Sequence, residues 1–169
     1  FIDFLGNAAE GTNRGVEMDI NWFVNDYFKI NANAGWLDAE FDKFINEFGE
    51  DLAGRDQAHA PSYTFSVNFN YQQGPWFASV SADGKDDFYF SDRHSIKSKR
   101  YTLYNASLGF KSRQWKVTLW GRNLTDKDYY VRGFGSFGND PRKFYVTEPY
   151  FQYGEPRVTG VTLQFTMGG

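Results

Sequence analysis

Along several stretches of this chain apolar and polar residues alternate one by one, a pattern that fits a β-strand with two unlike faces and little else. Residues 63–72 read YTFSVNFNYQ, so Tyr63, Phe65, Val67, Phe69 and Tyr71 share one face. Thr64, Ser66, Asn68, Asn70 and Gln72 share the other. Over 16–25, Val16, Met18, Ile20, Trp22 and Val24 oppose Glu17, Asp19, Asn21 and Asn25. The alternation recurs over 104–111, 115–122 and 158–167. Such runs have about the ten residues that carry a tilted strand across a bilayer. Rings gather near the run ends, at Trp22 and Tyr27, at Tyr71 and Trp76, and at Trp115. Amphipathic rings prefer the headgroup layer, so this placement resembles the girdles that border a membrane-spanning wall. The chain therefore reads as all-β, built of antiparallel transmembrane β-barrel strands with the apolar wall toward lipid and the polar wall toward a wet lumen.

Average hydropathy hides a wall of this kind, because half of each strand is polar. The mean hydropathy of −0.60 is thus no argument against a membrane. Aromatic residues make up 20% of the chain and favour strands. With no cysteine, disulfides, thiolate chemistry and cysteine-based zinc sites are excluded together. A net charge of −3 is too mild to suggest nucleic acid as a partner. The chain starts Phe-Ile-Asp without an initiator Met or signal peptide, and reads as a piece of something longer.

The connections alternate as well. About eight strands are predicted, over 1–5, 15–25, 28–41, 62–72, 76–90, 101–111, 115–126 and 156–167. Asn25-Asp26, Gln73-Gly74-Pro75 and Ser112-Arg113-Gln114 make the short turns. Residues 6–14, 42–60, 91–100 and 127–155 make the longer loops. Outer-membrane barrels have short periplasmic turns and long extracellular loops, which puts the C-terminus on the periplasmic side.

Three stretches carry a resemblance: GVEMDINWFVNDYFKINANAGWLDAEFD at 15–42, LYNASLGFKSRQWKVTLWGRNLTDKDYY at 103–130 and GEPRVTGVTLQFTM at 154–167. They resemble strand–turn–strand units and the final strand of TonB-dependent outer-membrane receptors, and Ala60-Pro61 ahead of a strand is similar to the family too. The resemblance implies that 1–169 is the C-terminal segment of a barrel of about 22 strands, with the plug domain absent from it. It implies active import of a scarce ligand across the bacterial outer membrane, most often a ferric siderophore, with cobalamin or saccharides as family alternatives. The implied partners are the N-terminal plug, the TonB–ExbB–ExbD energy-coupling complex, the bilayer with its lipopolysaccharide, and a small metal chelate. No catalytic role or cofactor is implied. The family ends on an aromatic residue, whereas here Phe165 is followed by Thr166-Met167-Gly168-Gly169. The strand count also permits a complete eight-stranded barrel with a structural or passive pore role, and a soluble β-sandwich binding module is a third reading.

Gly133-Phe-Gly135-Ser-Phe-Gly138 spells a dinucleotide fingerprint, but no helical pattern follows it, so it reads as a flexible loop. Asp92-Arg93-His94-Ser95 places adjacent residues in a loop, where nucleophile, base and orienter rarely meet. Asn105-Ala106-Ser107 and Asn123-Leu124-Thr125 are formal glycosylation sequons on or beside strands and read as silent. The acidic loop of Asp42, Glu47, Glu50, Asp51 and Asp56 lacks a cation-binding spacing and reads as solvated. The basic loop of Arg93, His94, Lys97, Lys99 and Arg100 reads as solvated beside anionic lipopolysaccharide phosphates, or else as a ligand trap. In 127–155, Arg132, Phe134, Phe137, Arg142, Lys143 and Tyr145 suit an anionic, ring-bearing ligand through stacking and cation–π contact. A self-packed lid is the alternative. On the polar wall Glu17, Asp19, Lys116 and Arg122 are candidates to face a plug, since confined charges seek partners.

Overall fold

The structure is a computed structural model that describes residues 10–137, 140–146 and 148–167. Seven long strands form one antiparallel sheet in the order β1-β2-β3-β4-β7-β8-β11. They are β1 Glu10–Phe23, β2 Phe28–Lys43, β3 Tyr63–Gln73, β4 Trp76–Lys85, β7 Tyr101–Lys111, β8 Trp115–Arg122 and β11 Val158–Phe165. Two small antiparallel pairs stand apart from it, β5 Phe88–Tyr89 with β6 Lys97–Ser98, and β9 Tyr130–Phe137 with β10 Glu148–Tyr153. The strand predicted at 1–5 lies outside the described residues.

The register aligns like with like. Ile20, Ala32, Val67, Ala82 and Tyr104 stand opposite one another in sequence across five strands. One residue along, Asn21, Asn31, Asn68, Ser81 and Asn105 form the neighbouring row. Because side chains alternate with period two, the first row falls on the apolar face and the second on the polar face. The apolar face leaves Val16, Trp22, Trp36, Leu119, Val161 and Leu163 each more than half exposed. An apolar surface this continuous exceeds what a soluble monomer tolerates. The polar face is a hydrogen-bonded ladder instead. Asn31 donates to Asn21 and accepts from Asn70, and Ser79 donates to Asn68. Phe23, Phe77 and Trp120 interrupt it, each with a cation near its ring: Lys29, Lys116 and Arg122 respectively.

The short turns gather at one end of the sheet. Asn25 Oδ1 accepts from the backbone N–H groups of Tyr27 and Phe28, at 2.9 Å each, which closes the first turn by the side-chain mechanism its sequence predicts. Gly74 supplies the second with φ +56°. Ser112 Oγ accepts from Trp115 N–H in the third. Trp76 meets Phe110 edge-on at 5.0 Å, and Trp115 meets Phe165 at 4.6 Å, so rings belt the apolar face at this end.

Four expectations are corrected. Residues 10–14 are strand, not loop, because β1 and β2 continue pairing and are joined by Thr12–Asp42 and Glu10–Lys43 hydrogen bonds. The strand predicted at 76–90 ends at Lys85, and Phe88–Tyr89 turns away to pair with β6 inside the supposed loop 91–100. The long connection 127–155 is largely a β-hairpin, β9–β10. Gly133 and Gly135 accordingly lie on a strand and not in a flexible loop. The rings of Phe90 and His94 occupy the space where their β-carbons would be.

Candidate functional site

All three long connections leave from the end of the sheet opposite the short turns, and there they pack together. Of the buried apolar residues among those described, Leu52, Phe88 and Phe90 sit in these connections, and Ala39 lies on β2 near its loop end. Phe88 and Phe90 meet edge-on at 5.3 Å, and the His59 ring lies 5.5 Å from Phe88. Phe90 and Tyr130 both reach Phe151 of the hairpin. Arg55 fastens the first connection to the second. Its guanidinium lies 3.9 Å over the Tyr89 ring and donates to the carbonyls of Ser91 at 2.6 Å and His94 at 2.7 Å. Lys97 reaches Asp87 at 3.0 Å and Asp56 at 3.8 Å. Its hydrogen bond holds the Asp87 carboxyl below its ordinary pKa. Burial works most strongly against the charge on Lys97, but the Asp87 hydrogen bond together with the nearby charges of Asp87, Tyr89 and Asp56 raises the ammonium pKa.

This packing leaves an open cleft of about 770 Å³, within the range of small-ligand sites. Phe48, Phe90 and Phe134 supply rings to its wall; Arg93, Arg132, His59 and His94 supply nitrogen. Glu47 offsets Arg93 at 3.3 Å, whereas the Arg132 side chain has no partner among the described residues. His94 Nδ1 accepts the backbone N–H of Ile96 at 3.3 Å. Burial first, and then the Arg55 guanidinium, lower the His94 pKa against a smaller opposite pull from Asp92. The imidazole is therefore neutral at pH 7. Such a cavity can hold a flat or chelating anion between rings and a guanidinium.

The residues predicted for a ligand site divide. Arg132 and Phe134 line the cavity. Phe137 ends β9, and its side chain lies outside the described residues. Arg142, Lys143 and Tyr145 sit at the hairpin tip, away from the cavity lining. There Arg142 forks onto both Asp140 oxygens at 3.0 Å, and Lys143 bonds Glu148 at 2.7 Å. On the polar wall Glu17 and Asp19 stand opposite Gly35 and Asn33, while Lys116 lies 4.9 Å over Phe77. Arg122 is engaged with Glu155 at 2.7 Å.

Sequence reasoning missed four contributors, His59, Phe48, Phe90 and Arg55, none of which has a periodicity or motif to flag it. It also missed Asp83, whose carboxylate accepts from Ser66, Ser81 and Asn105 on the polar wall. Both sequon asparagines are occupied structurally. Asn105 accepts from Asn123 N–H, and Asn123, 3% exposed with φ +47°, donates to the carbonyls of Lys127 and Glu155.

Residues 3–124 match the family model described as TonB dependent receptor-like, beta-barrel. The chain belongs to the TonB-dependent receptor family. Its apolar face is thus the lipid-facing side of a transmembrane barrel wall, and its polar face the lumen side. A curated relative, the ferric-pyoverdine M114 receptor PbuA of Pseudomonas sp. (strain M114), is 38% identical over 58 residues, 31% of this chain and 7% of that protein. Among solved structures, the siderophore receptor PiuA from Acinetobacter baumannii superposes with a TM-score of 0.71 at 18% identity, over 90% of this chain and 21% of that one. The ferric yersiniabactin uptake receptor FyuA from Yersinia pestis gives 0.74 at 16% identity, over 92% of this chain and 23% of that one. At these identities the two structures speak for the fold alone. The chain spans 7% of the length of the curated relative and about a fifth of the two structures.

Proposed function

We propose that this chain is the C-terminal wall segment of an outer-membrane receptor that imports a ferric siderophore, with TonB–ExbB–ExbD supplying the energy and no chemistry performed by the segment. On this reading a plug domain elsewhere in the protein meets the lumen wall, where Glu17, Asp19 and Lys116 are available to it. The loop end faces the medium, and its cavity contributes one side of the ligand site. The observation that carries the reading is the convergence of Arg132 and Arg93 with three phenylalanine rings in one cavity above a receptor-family wall. PbuA, by its name a ferric-pyoverdine receptor, adds support for an iron chelate. The sheet runs from β1 to β11 with no pairing between these two strands among the described residues. This favours a share of a larger barrel over a complete small pore.

Among the described residues the Arg132 side chain has no ion-pair partner, whereas Arg93 pairs with Glu47, Arg142 with Asp140 and Lys143 with Glu148, so Arg132 is the cavity guanidinium left to meet an anionic chelate. In the full-length receptor, Arg132→Ala should weaken binding of the ferric chelate about tenfold, ~1.4 kcal/mol, and flatten its salt dependence. Replacing Arg142 and Lys143 with Ala should change binding less. Titration of the chelate at two ionic strengths checks this. Unchanged affinity and unchanged salt slope in Arg132→Ala would remove the cavity from the binding site.

A further inference from the structure

The β9–β10 hairpin, which carries Arg132 and Phe134 to the cleft, stands on two legs, and one side chain holds both. Asn123 directly follows β8 and is 3% exposed. Its Nδ2 donates to the carbonyl of Lys127, just before β9, and to that of Glu155, just after β10, at 3.0 Å each. Its Oδ1 accepts the Lys127 N–H at 2.9 Å. Both amide protons and the carboxamide oxygen are thus engaged at the two feet. The Asn123 N–H donates to Asn105 Oδ1 at 3.0 Å, which ties the arrangement to β7. The backbone here is left-handed, with φ +47°, a conformation that asparagine and glycine accept more readily than other residues.

Farther out, the hairpin is held differently from the other two connections. Those two are joined by polar and charged bonds, Arg55 to the carbonyls of Ser91 and His94, and Lys97 to Asp56. The hairpin meets them through rings, Phe90 against Gly133 and Phe151, and His94 against Gly135. Apolar contact of this kind is non-directional, so it resists separation more than tilt. The direction of the hairpin is therefore set at its feet. Arg132 lies five residues beyond Lys127. At roughly 3.3 Å per extended residue, a tilt of about 10° at the foot carries Arg132 about 3 Å, the length of one hydrogen bond.

We propose that Asn123 is a positioning residue for the cleft: without touching the ligand, it fixes the pitch of the β9–β10 hairpin and with it the place of Arg132. Asn123 is not part of the cleft lining. This role rests on the ligand reading proposed above for Arg132.

The test uses the full-length receptor and two variants. Asn123→Gly accepts the left-handed backbone but has no side chain to hold the feet. Asn123→Asp keeps the shape and loses the two N–H donors. Spin labels on Val146→Cys near the hairpin tip and on Gln114→Cys in the third short turn report the pitch without any ligand. Both variants should broaden the distribution of label-to-label distances. Titration with ferric pyoverdine, the chelate in the name of PbuA, reads the consequence. Asn123→Gly should weaken binding by up to the roughly tenfold expected of Arg132→Ala, and should flatten its salt dependence although no charge is removed. Combined with Arg132→Ala, the losses should not add, because Asn123 acts through Arg132. An unchanged distance distribution in both variants would overturn the proposal, as would full binding, an unchanged salt slope or additive losses in Asn123→Gly. Failure of both variants to give a boiling-sensitive barrel would make Asn123 a residue of fold stability and overturn the positioning role as well. Unchanged binding in Arg132→Ala itself would instead overturn the cleft as a ligand site, and the label distances alone would then decide whether Asn123 sets the hairpin.

Discussion

Single residues of this wall are kept by what surrounds them, and His94 shows how far sequence alone falls short. Beside Asp92, Arg93 and Ser95 it reads in sequence as a loop residue without catalytic geometry, and nothing in the sequence shows that it is a half-buried fastening. Its Nδ1 accepts from Ile96 N–H, its carbonyl accepts from Arg55, and its ring fills the space over Gly135. Only neutral imidazole offers an acceptor nitrogen, so protonation would break the Ile96 bond and set a second cation beside Arg55. A lowered histidine pKa means that the unfolded segment takes up its proton first as acid is added. The stability it contributes is therefore present above the ordinary value of 6.5 and is lost as pH falls through the lower folded value. We expect amide protection over 91–96 in the full-length receptor to drop between pH 7.5 and the acid side of the histidine range, after correction for intrinsic exchange. His94→Gln, which lacks the titration, should not show that drop. The same acid loss in both proteins would make His94 irrelevant to it.

At the scale of elements, sequence was informative where a strand has unlike faces and silent where it does not. The parity of β1, β3, β7, β8 and β11 is written residue by residue, and the pairing places every one of those rows as the alternation predicts. Turn chemistry fixed the short connections in the same way. The β9–β10 hairpin escaped notice because YVRGFGSF carries glycines where rings press against it, and strands with interior glycine look like loops. The cavity escaped notice for a related reason: its walls come from three connections brought together only by tertiary packing, fastened by Arg55 and by the Phe90–Phe151 contact. Parity makes a quantitative expectation. Val67 stands between Ala32 and Ala82 in the middle of the lipid-facing rows. Val67→Arg should cost ~2–4 kcal/mol in the full-length receptor folded into lipid vesicles. Asn68→Arg, one residue along on the lumen side, should cost far less. Unfolding titrations of the two variants compare them directly, and equal costs would contradict the facing assigned to β3.

On the scale of the whole molecule, the sheet is a wall and not a domain. Among the described residues its apolar side has no protein core behind it, and the buried apolar residues lie mainly among the loops. In water such a face must find another surface; in a bilayer it meets lipid, and the lumen side is satisfied by its own asparagine and serine ladder. What lipid does not satisfy is an open strand edge, because unpaired N–H and C=O groups in hydrocarbon cost several kcal/mol each. β1 and β11 border the sheet at its two ends and do not pair with each other among the described residues. β1 alone presents the outer edge of a 14-residue strand. Closing seven strands on themselves would bend the sheet far more tightly than closing it as part of a barrel of more strands. We therefore expect residues 1–169, produced alone and refolded into detergent or vesicles, not to form a monomer that migrates differently before and after boiling, whereas the full-length receptor should do so. Edge-to-edge association should appear instead, as oligomers that grow with protein concentration. A compact, boiling-sensitive monomer of the isolated chain would show that these strands can close without the rest of the wall, and would return the small-barrel reading to first place.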